Sequence, residues 1–403
     1  MSTPLLKFQA GVFQFTWDEE QVDILVDRIR DHRGTLTGEL TIKSLADETL
    51  THLHHTRLNL LSTRDRQILV QEVSSRVNDL PWADLIEQCC TVTVRKYREG
   101  EPVVDVGNLE VKAKPRYRLS PLVLENEANL IYGPGGSCKS LLACTSAALV
   151  QAGEKRCGLA PIQGEVLYVD YETSQEEVGG RIQRIKKSLD LSPTLVIHYQ
   201  RWAQPLADDI ETLRRKVLET NAELIIVDSV GAACGGEPES AEIVLRYFMG
   251  LRSLNKTTLS IDHTSRKGEG PFGSVYKFNS ARNVWEIKKS EEPGDGHVTV
   301  GLYHRKINSG RLLKPLGFKF TFVDTEDSLR IERVNVKDVP ELATGLQLRE
   351  QIAGLLQHGA MTAKDIAEEL HTTDENVRVQ LNRHKDMFTK PEDHLWGLLS
   401  KGN

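Results

Sequence analysis

The ten residues Ile131-Tyr132-Gly133-Pro134-Gly135-Gly136-Ser137-Cys138-Lys139-Ser140 constrain this chain more than any other stretch. A mostly apolar run, Asn129 to Tyr132, predicts a short buried strand, and Leu141 to Val150 predicts a buried helix. Three glycines in four residues, then Lys-Ser, lie between them. Strand, Gly-rich turn, Lys-Ser and helix in that order make a phosphate-binding loop. Its backbone N–H groups point at an anion without help from any side chain. Gly133, Pro134, Gly135, Gly136, Ser137, Cys138, Lys139, Ser140 and Leu141 are therefore candidate nucleotide contacts. Lys139 is placed to neutralise the β- and γ-phosphates of ATP, and the Ser140 hydroxyl to hold Mg²⁺. Cys138 stands where glycine is expected, which requires a negative φ and a thiol turned away from the phosphates. The alternative, an ordinary β-to-α turn that binds nothing, fits the flanking strand and helix less well.

With 403 residues, the chain has room for two or three domains. Its net charge of −6 excludes a globally basic protein, so any nucleic-acid contact must come from local patches. No apolar run approaches the roughly 20 residues that span a bilayer, and residues 1–15 lack a signal-peptide core, so no membrane partner is expected. Six cysteines without a C-x-x-C pair suggest neither a zinc site nor disulfides, hence a reduced, cytoplasmic setting.

Residues 1–118 form an N-terminal α/β domain without a motif that carries chemistry. Lys7 to Thr16 and Leu36 to Ile42 alternate as strands, and Glu19 to Arg30 has helical spacing through Val22, Leu25, Val26 and Ile29. Helical patterns follow over Thr63–Val77 and Trp82–Val94. The cluster Arg95-Lys96-Tyr97-Arg98 reads as a solvated helix end rather than a nucleic-acid contact. From 119 to 335, apolar strands alternate with helices, which predicts a mostly parallel sheet. Its ligands are expected beyond the carboxyl ends of the strands. A linker over 336–345 precedes 346–403, where three helical patterns and a Lys390 to Leu398 segment predict a winged helix-turn-helix.

Three strand ends supply acids and a histidine. Leu224 to Val227 runs into Asp228, placed to hold the Mg²⁺ water shell. Val166 to Asp170 leads to Glu172, which either orients an attacking water or serves as a helix N-terminal acid. Leu259 to Asp262 leads to His263, beside the γ-phosphate. The segment Ser265 to Lys277 mixes glycine with Arg266, Lys267 and Lys277, suiting either a grip on single-stranded phosphates or a solvated loop. Arg282, with Arg305 and Lys306 in reserve, is a candidate to act on a neighbouring subunit's γ-phosphate.

In order and spacing these residues resemble the RecA-like P-loop core of hexameric helicases, most closely the RepA-type replicative helicases and related phage and plasmid ATPases. The resemblance implies phosphate and Mg²⁺ binding by Lys139 and Ser140, Glu172 as catalytic base and Asp228 as the metal-side acid. It further implies that His263 senses the γ-phosphate, that Arg282 is an arginine finger and that Arg181 stacks on adenine. Two departures stand out: Cys138 replaces the loop glycine, and Asn308 stands where DnaB-type helicases carry an arginine. The function so implied is an ATP-hydrolysing ring, a hexamer by the resemblance alone, that moves along single-stranded DNA. The alternative is a nucleotide-switched regulator whose winged helix recognises a partner. Seven cations against nine acids in 346–403 favour a protein over DNA for that tail.

Overall fold

The computed structural model describes residues 2–9, 11–46, 52–100, 103–107, 115–264, 270–292, 294–323, 328–344, 346–357 and 359–399. Two compact units emerge, one of 1–113 with 209–219, the other of 114–208 with 220–403.

The first unit is an antiparallel sheet of five strands in sequential order, β1 (Leu5–Gln9), β2 (Val12–Trp17), β3 (Val22–His32), β4 (Thr35–Ser44) and β5 (His54–Asn59). Helices α1 (Thr63–Ser74) and α2 (Trp82–Glu99) share its core, where Phe15, Trp17, Ile24, Leu40, Leu85 and Cys89 are all buried. The helix expected over Glu19–Arg30 is instead strand β3. The period that counts is two: Val22, Ile24 and Val26 are buried, and they are β-branched residues whose side chains suit a pleated surface. The single strand expected over Lys7–Thr16 is split into β1 and β2 by a turn at Gly11.

The second unit carries β6 (Tyr117–Ser120), β7 (Val123–Leu124), β8 (Ala128–Gly133), α3 (Lys139–Ala152), β9 (Ala160–Pro161), β10 (Glu165–Asp170), α4 (Gln175–Ser188) and β11 (His198–Arg201). Helix α5 (Ile210–Thr220) groups almost wholly with the first unit, where Arg215 pairs with Asp27. Then come β12 (Ala222–Asp228), α6 (Val230–Cys234), α7 (Ala241–Arg252), β13 (Thr257–His263), α8 (Tyr276–Ser280), β14 (Asn283–Ser290), β15 (His297–Ile307), β16 (Leu316–Val323) and β17 (Ser328–Val334). Nine strands make one sheet in the order β11-β10-β12-β13-β8-β14-β15-β16-β17. The pairs from β11 through β14 are parallel and the last three antiparallel, so the sheet is mostly parallel as expected.

Parallel strands covered on both faces read as continuous apolar runs, and alternation then assigns the faces. Val166, Tyr168, Leu224 and Ile226 join the core cluster of α3 and α4. Ser260 points the other way, to the Tyr247 hydroxyl of α7 at 2.8 Å. Beyond β17, residues 336–344 form a 3₁₀ turn and α9 (Pro340–Ala343), packing Val336 and Leu342 on Tyr303. The last segment holds α10 (Leu348–Leu355), β18 (Met361–Thr362), α11 (Ala363–Glu369), α12 (Asp374–Arg383), β19 (Phe388–Glu392) and β20 (Leu395–Leu398), with its own small core and a three-stranded sheet.

One buried titratable group makes the core sensitive to acid. His304 stacks on Trp285 at 4.2 Å, accepts the Leu313 N–H at Nδ1 and faces Asn283 Oδ1 from Nε2 at 2.8 Å. Burial pushes its pKa down from 6.5 to about 4. The unfolded chain therefore takes up this proton first. Its contribution is complete above pH 6.5 and is lost as pH falls towards about 4. Urea midpoints across that window should fall by the equivalent of about 2–3 kcal/mol, a slope that His304→Gln flattens.

Candidate nucleotide site

The phosphate loop leaves the carboxyl end of β8 at a place only glycine fits. A Cβ on Gly133 would lie 2.5 Å from the Ile287 carbonyl oxygen, because β14 runs alongside in parallel register. Gly136 takes φ +67°, and Lys289 of β14 brings its Nζ close to it. Cys138 has φ +58°, not the negative φ expected from sequence. It occupies the left-handed conformation just ahead of α3, at a cost of about 1–2 kcal/mol for a residue with a Cβ. Its half-buried thiol packs against the core, and burial raises its pKa to about 11, so it is a poor nucleophile at neutral pH.

Lys139 opens α3 and turns back over the loop, donating to the Gly133 carbonyl at 3.0 Å and the Pro134 carbonyl at 2.7 Å. Burial lowers its pKa, while Asp228, Glu172 and Asp262 oppose that fall. Those acids sit at the ends of β12, β10 and β13, which the parallel register brings level: Asp170 faces Asp228, and Asp228 faces Ile261.

The two acids at the end of β10, Asp170 and Glu172, have different surroundings. Asp170 is buried and fully engaged, accepting from the Glu172 and Thr173 N–H groups, the Thr173 hydroxyl and the Tyr199 hydroxyl. It shapes the turn that presents Glu172 to the cleft. Glu172 Oε1 accepts from the Ser229 hydroxyl and lies 3.5 Å from His263 Nε2. Asp228 is buried; Tyr168 donates to its Oδ2 at 2.7 Å, and the Ser140 hydroxyl lies beside the same carboxylate. Its Oδ1 is buried with no well-formed hydrogen bond. Burial raises its pKa, with Ser140 and Tyr168 pulling the other way.

Lys139, Ser140, Glu172, Asp228 and His263 thus line one cleft of about 360 Å³, with Gly136, Ser137, Cys138, Leu141 and Arg181. Its remaining wall includes Arg184, Phe322 and Leu329, which sequence reasoning missed. Phe322 and Leu329 belong to the hairpin of β16 and β17, and only the register of that hairpin carries them back to the cleft. Arg181 pairs with Glu177 and keeps a buried Nη1 without a partner.

Residues 95–269 match the family of the AAA domain. That is a P-loop ATPase domain, and it points to nucleotide-dependent ATPase activity. The matched stretch holds the loop, Glu172, Asp228 and His263. No curated protein matches the chain. No helix among the described residues is long and apolar enough to cross a membrane.

The other candidates fall elsewhere. Arg282 precedes β14 level with Ala128, whose carbonyl accepts its N–H. That is the opposite end of β8 from Gly133, roughly 16 Å away at about 3.3 Å per residue. Arg305 is committed to Glu286, its Nε 2.8 Å from Oε2, and Lys306 binds the carbonyls of Phe278, Asn279 and Ala281. Neither reserve cation is free to reach a neighbour. Lys277 does not face a nucleic acid: it is 0% exposed and ion-paired with Asp262, Nζ to Oδ2 2.9 Å. Arg266 and Lys267 lie outside the described residues. Lys277→Ala should strand Asp262 as a buried charge and lower unfolding free energy by about 3–5 kcal/mol, read by urea denaturation.

Proposed function

We propose that this chain is an ATP-hydrolysing motor of RecA-like, RepA-helicase type that assembles into a ring, a hexamer in that family, and moves along single-stranded DNA. The observation that carries the reading is the convergence of Lys139, Ser140, Glu172, Asp228 and His263, far apart in sequence, on one cleft. On binding ATP, Lys139 exchanges the Gly133 and Pro134 carbonyls for β- and γ-phosphate oxygens. Glu172 orients the attacking water and takes its proton; Ser229 and His263 hold that carboxylate meanwhile. His263, at the end of β13, reads the presence of the γ-phosphate. Arg181 and Phe322 flank the space for the base.

The donor set fits a hard cation: a serine hydroxyl beside a buried carboxylate whose Oδ1 has no well-formed hydrogen bond. Ser140 and Asp228 would hold Mg²⁺, which when bound neutralises charge on the β- and γ-phosphate oxygens. Arg282 cannot serve its own cleft across the length of β8. A neighbouring copy's γ-phosphate is the target that remains, which makes each site a shared one. Arg266 and Lys267 are the proposed contacts to DNA. The C-terminal segment, three helices and a small sheet, is proposed as a winged helix that binds a protein, since its acids outnumber its cations.

The test is ATPase rate with and without single-stranded DNA, alongside the mass of the oligomer. Stimulation by DNA in a ring-sized assembly is expected; a DNA-indifferent monomer with full activity would favour the nucleotide-switched regulator instead.

A further inference from the structure

Tyr168 has no assigned task, yet it stands one strand away from the acid that matters most. Its ring is 0% exposed, in the core cluster of β10 and α3, a place where phenylalanine would pack as well. A buried phenol without a partner is unfavourable, so the hydroxyl needs a reason to be there. It donates to Asp228 Oδ2 at 2.7 Å and contacts the Cys144 thiol of α3 on its other side.

The two strand-end acids make the comparison. Asp170 has both carboxylate oxygens filled by four donors, as a structural acid should. Asp228 has Oδ2 filled by Tyr168 while Oδ1 is buried without a well-formed hydrogen bond, with the Ser140 hydroxyl beside the carboxylate in the cleft. One oxygen is tied down by Tyr168 and the other has the Ser140 hydroxyl beside its carboxylate and no well-formed hydrogen bond.

We propose that Tyr168 is a positioning residue for the metal: by holding Asp228 Oδ2 it fixes the carboxylate plane so that Oδ1 faces the cation shell beside Ser140. The inference rests on the nucleotide-site reading above. Partners of this kind, one step behind a metal-facing group, are worth about 10-fold or more in metal affinity. Tyr168 touches neither nucleotide nor cation, so its effect passes through Asp228 alone.

The experiment titrates Mg²⁺ into the full-length chain with a fluorescent methylanthraniloyl-ATP, and separately measures affinity for the same nucleotide in EDTA. Tyr168→Phe should raise the half-saturating Mg²⁺ by about 10-fold, with affinity in EDTA unchanged. Asp228→Asn and the Asp228→Asn/Tyr168→Phe double variant should coincide. An unchanged Mg²⁺ titration, an equal loss with and without metal, or a further loss in the double variant would each overturn the proposal. If Tyr168→Phe is less stable, the comparison on the Asp228→Asn background still decides. Wild-type protein that binds no nucleotide at all would instead overturn the site reading itself, and this inference with it.

Discussion

Lys139→Ala should abolish ATP hydrolysis and weaken nucleotide binding sharply. The side chain is the one cation of the phosphate loop itself, and its Nζ already sits on the Gly133 and Pro134 carbonyls, above the space the phosphates would take. Charge-assisted contacts to a developing anion in a half-closed cleft are worth about 10²–10³ in turnover each. Loss of ground-state binding adds to that. The fold should survive, because α3 is held by Leu142, Ala143, Leu149 and Val150, all buried, rather than by its first residue. A circular dichroism melt close to wild type, with no measurable phosphate release, is the expected pair of results.

Glu172→Gln should separate binding from chemistry. Glutamine keeps the shape and can still accept from Ser229, so the cleft stays intact, but it cannot take a proton from water. General-base loss costs about 10²–10⁴ in rate. Nucleotide affinity should stay within a few-fold of wild type while turnover falls into that range. Had Asp170 been the base, Asp170→Asn would give this behaviour instead. Its four accepted hydrogen bonds predict misfolding of the turn rather than a clean loss of turnover.

The central sheet was legible because parallel strands buried on both faces leave continuous apolar runs, each ending in a polar residue. β10 and β12 read this way, and Glu172 and Asp228 follow from their ends; β8 ends in Gly133 and β13 carries Thr258 and Ser260, so Lys139 followed from the Gly-rich loop and His263 from the Asp-His end of β13. Strand β3 was misread because Val22, Leu25, Val26 and Ile29 fit a helical spacing while Val22, Ile24 and Val26 fit a strand; only pairing with β2 and β4 selects between them. The backbone of Cys138 was misjudged for a related reason. Its φ is imposed by how the loop joins β8 to α3, and no local preference of cysteine reports it. Lys277 shows the limit of charge reading: a lysine beside glycines looks solvated until a buried Asp262 is found opposite. Arg305 and Lys306 likewise lost their apparent freedom to Glu286 and to the carbonyls around α8.

What joins the cleft to Arg282 is the claim that each site is completed by a second copy, and subunit mixing measures it. Glu172→Gln and Arg282→Ala proteins, each inactive alone, are combined in equal amounts and ATP turnover is followed. A mixed ring places the intact Glu172 of one variant against the intact Arg282 of the other, so partial recovery of hydrolysis is predicted. Full activity of Arg282→Ala by itself, or no recovery at any mixing ratio in rings confirmed to exchange subunits, would contradict the account.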